Sequence, residues 1–338
     1  MGKRATLADV AARVGMSITA VSMVLNDRPG ARLSADSARR IRAAARDLEY
    51  VPNSAARSLR VGKTGTIGFI SDSVAVTRFA SAMIRGVTDV ADQHELAVLI
   101  TETGSSRHRL DRAMRSLLDR RPDGVIFALM GAKEVDVPRL PRELPVVLVN
   151  AISPQSHPAV LPAEFEAGQS MARLLLDAGH TRIVLIGHDD ALWYDRRLSA
   201  TMGARFAGLF SALAEADVEL VATHPGEYWE PKLGYTGLNR LLDAGHDVTA
   251  VIAMNDRVAF GVYQAAQERG LRIPSDLSVV SFDDEEIASY LRPGLTTARI
   301  PYEEMGRVGM EMVLGLRPAG NTLVPMPIVV RDSVRPPA

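Results

Sequence analysis

The chain has 338 residues, 47% hydrophobic and 23% charged, which excludes a fibrous or disordered polymer and leaves room for two or three domains. It contains no cysteine, which excludes a disulfide framework and a thiolate metal site. The formal net charge of −1 hides a polarity: residues 1–63 carry twelve Lys and Arg against five Asp and Glu, the remainder 27 against 35, as expected where only the head meets a polyanion.

Near the N-terminus Leu7, Val10, Ala11 and Val14 recur at helical spacing, and Thr6 with Asp9 forms a capping-box start. The run stops at Gly15. A second opens at Ser17 with Val21, Val24 and Leu25 on its inner face. Two short helices around a Gly-containing turn are either an ordinary helical hairpin or a helix-turn-helix, whose second helix lies in the major groove; the basic charge favours the latter. Asp27, Pro29 and Gly30 mark a turn, after which Ser34 caps a third helix reaching about Glu49, with Ala38, Ile41, Ala45 and Leu48 on one face. Ser54–Leu59 is too short to be a stable helix alone, and locally it reads as a plain interdomain linker.

From Thr66 apolar strands alternate with amphipathic helices. Strands are expected at Thr66–Ser71, Leu96–Thr101, Asp123–Leu129, Pro145–Asn150, Arg182–His188, Val218–Thr223, Ala250–Asn255, Leu277–Asp283 and Leu323–Val330. Helices are expected between most of them, among them Phe79–Gln93, Glu164–Ala178, Ala204–Ala216 and Tyr302–Leu316. Apolar strands alternating with helices mean βαβ units around parallel sheets, and a weak seam at Ser153–Pro162 divides them into two doubly wound lobes. Ligands then bind at the carboxyl ends of the strands, which carry Asp72, Asn150, His188, Asn255–Asp256 and Asp283–Asp284. Helix capping is the plain alternative for each; together on one cleft they suit a hydroxyl-rich ligand.

Catalytic and metal motifs are missing: there is no G-x-S-x-G elbow, H-E-x-x-H helix, P-loop or Gly-rich dinucleotide fingerprint. Asp283 and Asp284 are adjacent on a strand and point to opposite faces, so they do not share an acid/base site. No enzyme, cofactor or metal is expected. The N-terminus lacks the apolar core of a signal peptide and no apolar run approaches the ~20 residues that span a bilayer, so the expected location is cytoplasmic and not in a membrane.

T-L-x-D-V-A-x-x-x-G-M-S-x-x-x-V-S at Thr6–Ser22, Val24-Leu25-Asn26, Tyr50-Val51-Pro52-Asn53 and Ala56-Arg57-Ser58-Leu59 together resemble the headpiece and hinge of the lactose/galactose repressor family. Ala178-Gly179-His180, Arg205-Phe206-Ala207-Gly208, Ala253-Met254-Asn255-Asp256, Ser281-Phe282-Asp283-Asp284 and Leu295-Thr296-Thr297 extend the resemblance through the body. It implies an all-α helix-turn-helix headpiece (1–52), a hinge helix (53–63) and a two-lobed α/β body like periplasmic binding proteins (64–338). Lobe 1 would span about 64–162 plus 294–322, and lobe 2 about 163–293 plus 323–338.

The resemblance also implies roles. Ile18, Thr19 and Met23 would face base edges; Thr6, Ser17, Ala20, Ser22 and Asn26 would lie near phosphates. Met23 departs from the family, where Arg is common and reads guanine. Asn53, Ala56, Arg57 and Leu59 would form a hinge that folds on DNA, with Leu59 as the minor-groove wedge, which replaces the linker reading. Asp72, Asn150, Arg205, Trp229, Asn255 and Asp283 would hold the effector. Glu164-Phe165-Glu166-Ala167-Gly168 departs where the family has Asp-Asn, so that helix start would meet a different neighbour. The protein expected is a homodimeric repressor of a pseudo-palindromic double-stranded operator, controlled by a small molecule. A carbohydrate inducer is favoured because acids at Asp72 and Asp283 repel phosphate; the alternative is a corepressor that is a purine or phosphorylated metabolite. The tail after Arg335 lacks an apolar heptad helix, so a dimer is expected over a tetramer.

Overall fold

A computed structural model describes residues 5–26, 33–50, 62–77, 80–104, 106–226 and 228–337, in two units that divide between Thr64 and Gly65. Each unit is treated by itself.

The first holds α1 (Leu7–Val14), α2 (Ile18–Leu25) and α3 (Ala35–Asp47). The Thr6 hydroxyl accepts from the Asp9 amide (3.3 Å) and the Asp9 carboxylate accepts from the Thr6 amide (2.7 Å), which completes the capping box. Gly15, at φ 69°, ends α1 in a left-handed conformation that a side chain would strain. The chain bends by 108° between α1 and α2, within the helix-turn-helix range. Ser17 and Ser34 cap α2 and α3 as expected. Val10, Val14, Val21, Val24 and Ile41 are buried between the three helices.

The second unit contains β1 (Thr66–Ser71), β2 (Ala97–Glu102), β3 (Gly124–Glu134), β4 (Val146–Ile152), β5 (Ala159–Pro162), β6 (Ile183–His188), β7 (Ala222–Pro225), β8 (Ala250–Ala253), β9 (Ser278–Asp283), β10 (Thr296–Arg299), β11 (Thr322–Val324) and β12 (Ile328–Val329). Its helices are α4 (Ala82–Gln93), α5 (Arg107–Leu118), α6 (Glu164–Asp177), α7 (Asp190–Tyr194), α8 (Met202–Glu215), α9 (Pro231–Asp243), α10 (Asp256–Glu268), α11 (Glu286–Tyr290) and α12 (Tyr302–Val313). Two six-stranded sheets form, in the orders β11-β5-β4-β3-β1-β2 and β12-β10-β9-β8-β6-β7; only β12 runs antiparallel. Apolar side chains cover both faces of each sheet. In the first lobe Ile67, Phe69 and Val149 pack on one side and Ile70, Phe127 and Leu148 on the other, the distribution that buried parallel strands require.

The sheets depart from the sequence reading in four places. β5 lies inside the expected seam, and the expected strand Leu323–Val330 is two strands in different sheets, separated by Pro325 and Pro327, which lack the amide a ladder needs. The expected Val218–Thr223 begins later, at Ala222. β10 pairs with β9 in the second sheet, and α12 packs on α4 and β4 of the first lobe. The first lobe is therefore completed by α12 and β11, not by the whole of 294–322. The chain crosses between lobes at Ala163, at Ile300–Pro301 and between β11 and β12. Among the described residues no single helix is long and apolar enough to cross a membrane.

Candidate functional site

In the first unit α2 turns Val21 and Val24 inward, so Ile18 and Thr19 stand outward, Ile18 with 52% of its surface exposed. Its exposed half is available for contact outside the helical core of the unit. Met23 is half-buried on the same helix. Ser17 and Thr6 are exposed; Ala20, Ser22 and Asn26 are partly covered. The Thr6 hydroxyl also lies 2.7 Å from the Asp9 carboxylate, to which it donates, so its proton is committed to the cap. Asn26 donates through Nδ2 to the Ser22 carbonyl (2.7 Å) and hydroxyl (3.3 Å). Asn53, Ala56, Arg57 and Leu59 lie outside the described residues.

In the body, Asp72, Asn150, Asn255 and Asp283 sit at or near strand ends, Arg205 on α8, and Trp229 in the loop between β7 and α9. β1 lies between β3 and β2, and β6 between β8 and β7, so strand order reverses at β1 and β6, where a doubly wound sheet opens a crevice. Asp72 follows β1; it accepts from the Met130 amide (3.0 Å) and pairs with Lys133 Nζ (2.9 Å). Beside it the first lobe opens a cavity of about 300 Å³ floored by Ile70, Phe127 and Leu129. Asn150 is buried at the end of β4 with φ 55°, and its Nδ2 donates to the carbonyls of Leu129 and Met130.

Across the lobes, Asn255 caps α10, accepting from the Val258 amide (2.8 Å) and donating to the Trp229 carbonyl (3.1 Å). Trp229 donates through Nε1 to the Gly187 carbonyl (2.9 Å) and packs against both cores of the lobe. Arg205 was expected to offer its fork to a ligand; instead it grips Glu164, Nε to Oε2 at 2.7 Å and Nη2 to Oε1 at 2.9 Å, and donates through Nη1 to the Met254 carbonyl (2.8 Å). Its guanidinium also lies 4.1 Å above the Phe282 ring. Glu164 is thereby the altered helix start that meets a different neighbour.

Asp283 differs from the other five. Its φ of 102° turns it out of β9, and its carboxylate has no hydrogen-bond partner among the described residues. Such a strained non-glycine residue persists only where the surroundings hold it. Burial, opposed by Arg205 and Arg257 and reinforced by Glu285 and Glu164, pushes its acid up to about 7. Asp284 points elsewhere, to Arg299 (2.7 Å) and Arg331 (2.6 Å), so the adjacent carboxylates part as expected. Asp256 is buried beneath, accepting from Ser281, Thr297 (2.8 Å) and the Glu285 amide (2.6 Å); burial and then the nearby Asp283 push it up to about 8.

Features that sequence reasoning missed surround these residues. Lys133 pairs with Asp72, and Tyr302 hydrogen-bonds the Met130 carbonyl (3.1 Å) at the lobe boundary. At the rim the lobes are joined by backbone: Glu134 donates to the Arg196 carbonyl and Ala200 to the Ala132 carbonyl, both at 2.8 Å. The excursion Asp189–Ala200 that makes this contact is seated by Trp193, stacked on Phe206 (5.3 Å) and Phe210 (5.6 Å) rather than turned toward the cleft. Gly203 permits it, since a Cβ there would stand 2.9 Å from the Trp193 carbonyl. Only the unusual composition of the segment signalled it.

Comparison with known proteins matches residues 6–53 to the bacterial regulatory proteins of the lacI family and residues 172–334 to the periplasmic binding protein-like domain. The chain is 30% identical over 318 residues to the ribose operon repressor of Haemophilus influenzae, covering 92% of this chain and 91% of that protein. It is 31% identical over 321 residues to the HTH-type transcriptional repressor PurR of Edwardsiella ictaluri, covering 92% and 89%. A crystal structure of the lac repressor dimer bound to operator and the anti-inducer ONPF superposes with a TM-score of 0.80 at 25% identity, covering 98% of this chain and all of that one.

Proposed function

The chain belongs to the lacI family of bacterial regulatory proteins, and from that premise we propose that it is a ligand-responsive transcriptional repressor that binds a pseudo-palindromic operator as a homodimer. It works in the cytoplasm, on the nucleoid, and catalyses nothing. In this reading the headpiece is 1–52 and the hinge 53–63, with Ile18, Thr19 and Met23 against base edges. Thr6, Ser17, Ala20, Ser22 and Asn26 lie along phosphates; Thr6 and Asn26 do so with their side-chain donors already committed, so they position the backbone. Asn53, Ala56, Arg57 and Leu59 enter the minor groove at the centre of the site.

The effector lies between the lobes and is a carbohydrate. One observation carries this: Asp283, an acceptor-only group when ionised, has no hydrogen-bond partner among the described residues, whereas the two cations that act on it, Arg205 and Arg257, are paired with acids of the protein. A ligand that supplies hydroxyl donors completes it. Asp72, Asn150, Arg205, Trp229 and Asn255 shape the same cleft, most of them through bonds they already make within the protein. Similarity to both a ribose operon repressor and PurR proteins leaves ligand class to the site, and the site's charge favours the sugar.

A thermal-shift screen of the full-length protein against neutral sugars, sugar phosphates and purines tests the reading, because a ligand bound by the folded state raises its stability. A neutral sugar is expected to raise the melting temperature and to change DNA affinity. A response confined to purines, unchanged by Asp283→Asn, would contradict it.

A further inference from the structure

We infer that Glu164 sets the charge class of the effector: by holding the Arg205 guanidinium it reserves the cleft for uncharged, hydroxyl-rich ligands and turns away phosphorylated or carboxylated ones. This rests on the effector reading above.

Arg205 stands where an anion would be taken. Its Nη1 meets the Met254 carbonyl just past β8, and its plane covers Phe282 beside Asp283 at the end of β9, so the head spans the carboxyl ends of two neighbouring strands. An unengaged guanidinium there would offer the planar fork that fits phosphate or carboxylate. Here both limbs of that fork close on Glu164, and the two side chains are 1% and 2% exposed. Three of the five N–H donors are used and the positive charge is cancelled. One N–H on each of Nη1 and Nη2 remains, which hydroxyl oxygens can take, while the Glu164 carboxylate already on the guanidinium repels an anion brought to it.

The pairing is built into the backbone. Glu164 opens α6 and Arg205 lies in the first turn of α8, and these helices approach so closely that a Cβ on Gly168 would stand 2.3 Å from the Arg205 carbonyl. One on Gly208 would stand 2.0 Å from the Phe165 carbonyl. The two charged residues therefore face each other by register, with the carboxylate at a helix N-terminus that favours it. Nearby cations offer an anion no substitute. Lys133 is held by Asp72 at 2.9 Å, and Arg257 by Glu285 at 3.2 Å and Glu230 at 3.3 Å. What remains is the carboxylate of Asp283, which repels a second anion and accepts from hydroxyls.

The test titrates inorganic phosphate, with chloride at matched ionic strength as control, into full-length wild type, Glu164→Gln and the double variant Glu164→Gln with Arg205→Met. Wild type is expected to show no saturable binding. Glu164→Gln is expected to bind phosphate saturably, at least tenfold more tightly than the weakest binding the wild-type titration would detect, and the double variant to lose that binding, which a merely structural role for Glu164 would not produce. A folded Glu164→Gln protein that binds phosphate no better than wild type would overturn the inference. Wild type alone supplies a second arm that needs no variant to fold: neutral monosaccharides against their phosphate esters, where stabilisation by an ester and not by its parent sugar would also overturn it. Absence of any response to neutral sugars would instead strike the effector reading, and the phosphate arm would still report what Arg205 binds once Glu164 is neutral.

Discussion

Asp283 is the residue at which fold and function pull apart. Its folded-state acid, raised to about 7, is held protonated more readily than in an unfolded chain, so its contribution to stability is full below about pH 4 and is lost as pH rises through about 7. Asp283→Asn removes that loss while breaking no hydrogen bond within the protein. The variant is expected to melt at pH 8 no lower than wild type and to lose its effector response, a combination that calorimetry with and without ligand will show. In wild type, effector affinity should weaken as pH falls below about 7, because hydroxyl donors need the ionised acid. Met23 presents the corresponding question on the DNA side. It is half-buried on α2 and offers apolar contact where an Arg would take guanine by two hydrogen bonds. Met23→Arg should change the preferred base at one position of each half-site in a binding-site selection; an unchanged preference would place Met23 away from the bases.

Helices of the body pack in pairs that share one device. α6 meets α8 through Gly168 and Gly208, α4 meets α12 through Gly86 and Gly306, and α9 meets α10 through Gly234 and Gly261. In each pair a Cβ on either glycine would come within 2.3 Å of a backbone carbonyl of the other helix. Gly208→Ala should destabilise the body by about 1–3 kcal/mol or more through overpacking, measurable by urea unfolding, and should disturb the Glu164–Arg205 pair as well. Of these glycines Gly168 and Gly208 stand in motifs quoted from the sequence, but that they oppose one another is not legible there, since reciprocity belongs to two helices and not to either alone. The same limit explains which site residues were legible. Polar strand ends such as Asp72, Asn150 and Asp283 follow from the βαβ pattern, whereas Lys133, Tyr302 and the partner of Arg205 depend on contacts distant in sequence. Capping is legible at Thr6 and Ser34 because its bonds span three residues, and Ser17, read only as the start of α2, caps it in the same way. The short strands β5 and β10 are not legible in the sequence because so few residues carry no usable period.

At the scale of the whole chain, three crossings tie the lobes, and the bonds from Glu134 to Arg196 and from Ala200 to Ala132 join their rims. A ligand seated between them acts on the interlobe arrangement only through the difference in its affinity for the arrangements available, and the operator is subject to the same rule. His180 steadies the second lobe from beneath: Nδ1 meets the Thr249 hydroxyl (3.0 Å), and Nε2 lies 3.0 Å from Ser278 Oγ and 2.8 Å from the Arg335 carbonyl. Burial lowers its pKa, so its contribution is present above about pH 6.5 and is lost as pH falls below that value. The proposed coupling joins a sugar cleft and a DNA reader in one chain. It is tested most directly by measuring operator affinity with and without the stabilising sugar, and sugar affinity with and without a selected operator duplex, on the same full-length protein. Each ligand is expected to change the other's dissociation constant by the same factor, with both changes abolished in Asp283→Asn. A sugar that binds tightly while leaving operator affinity unchanged would contradict it.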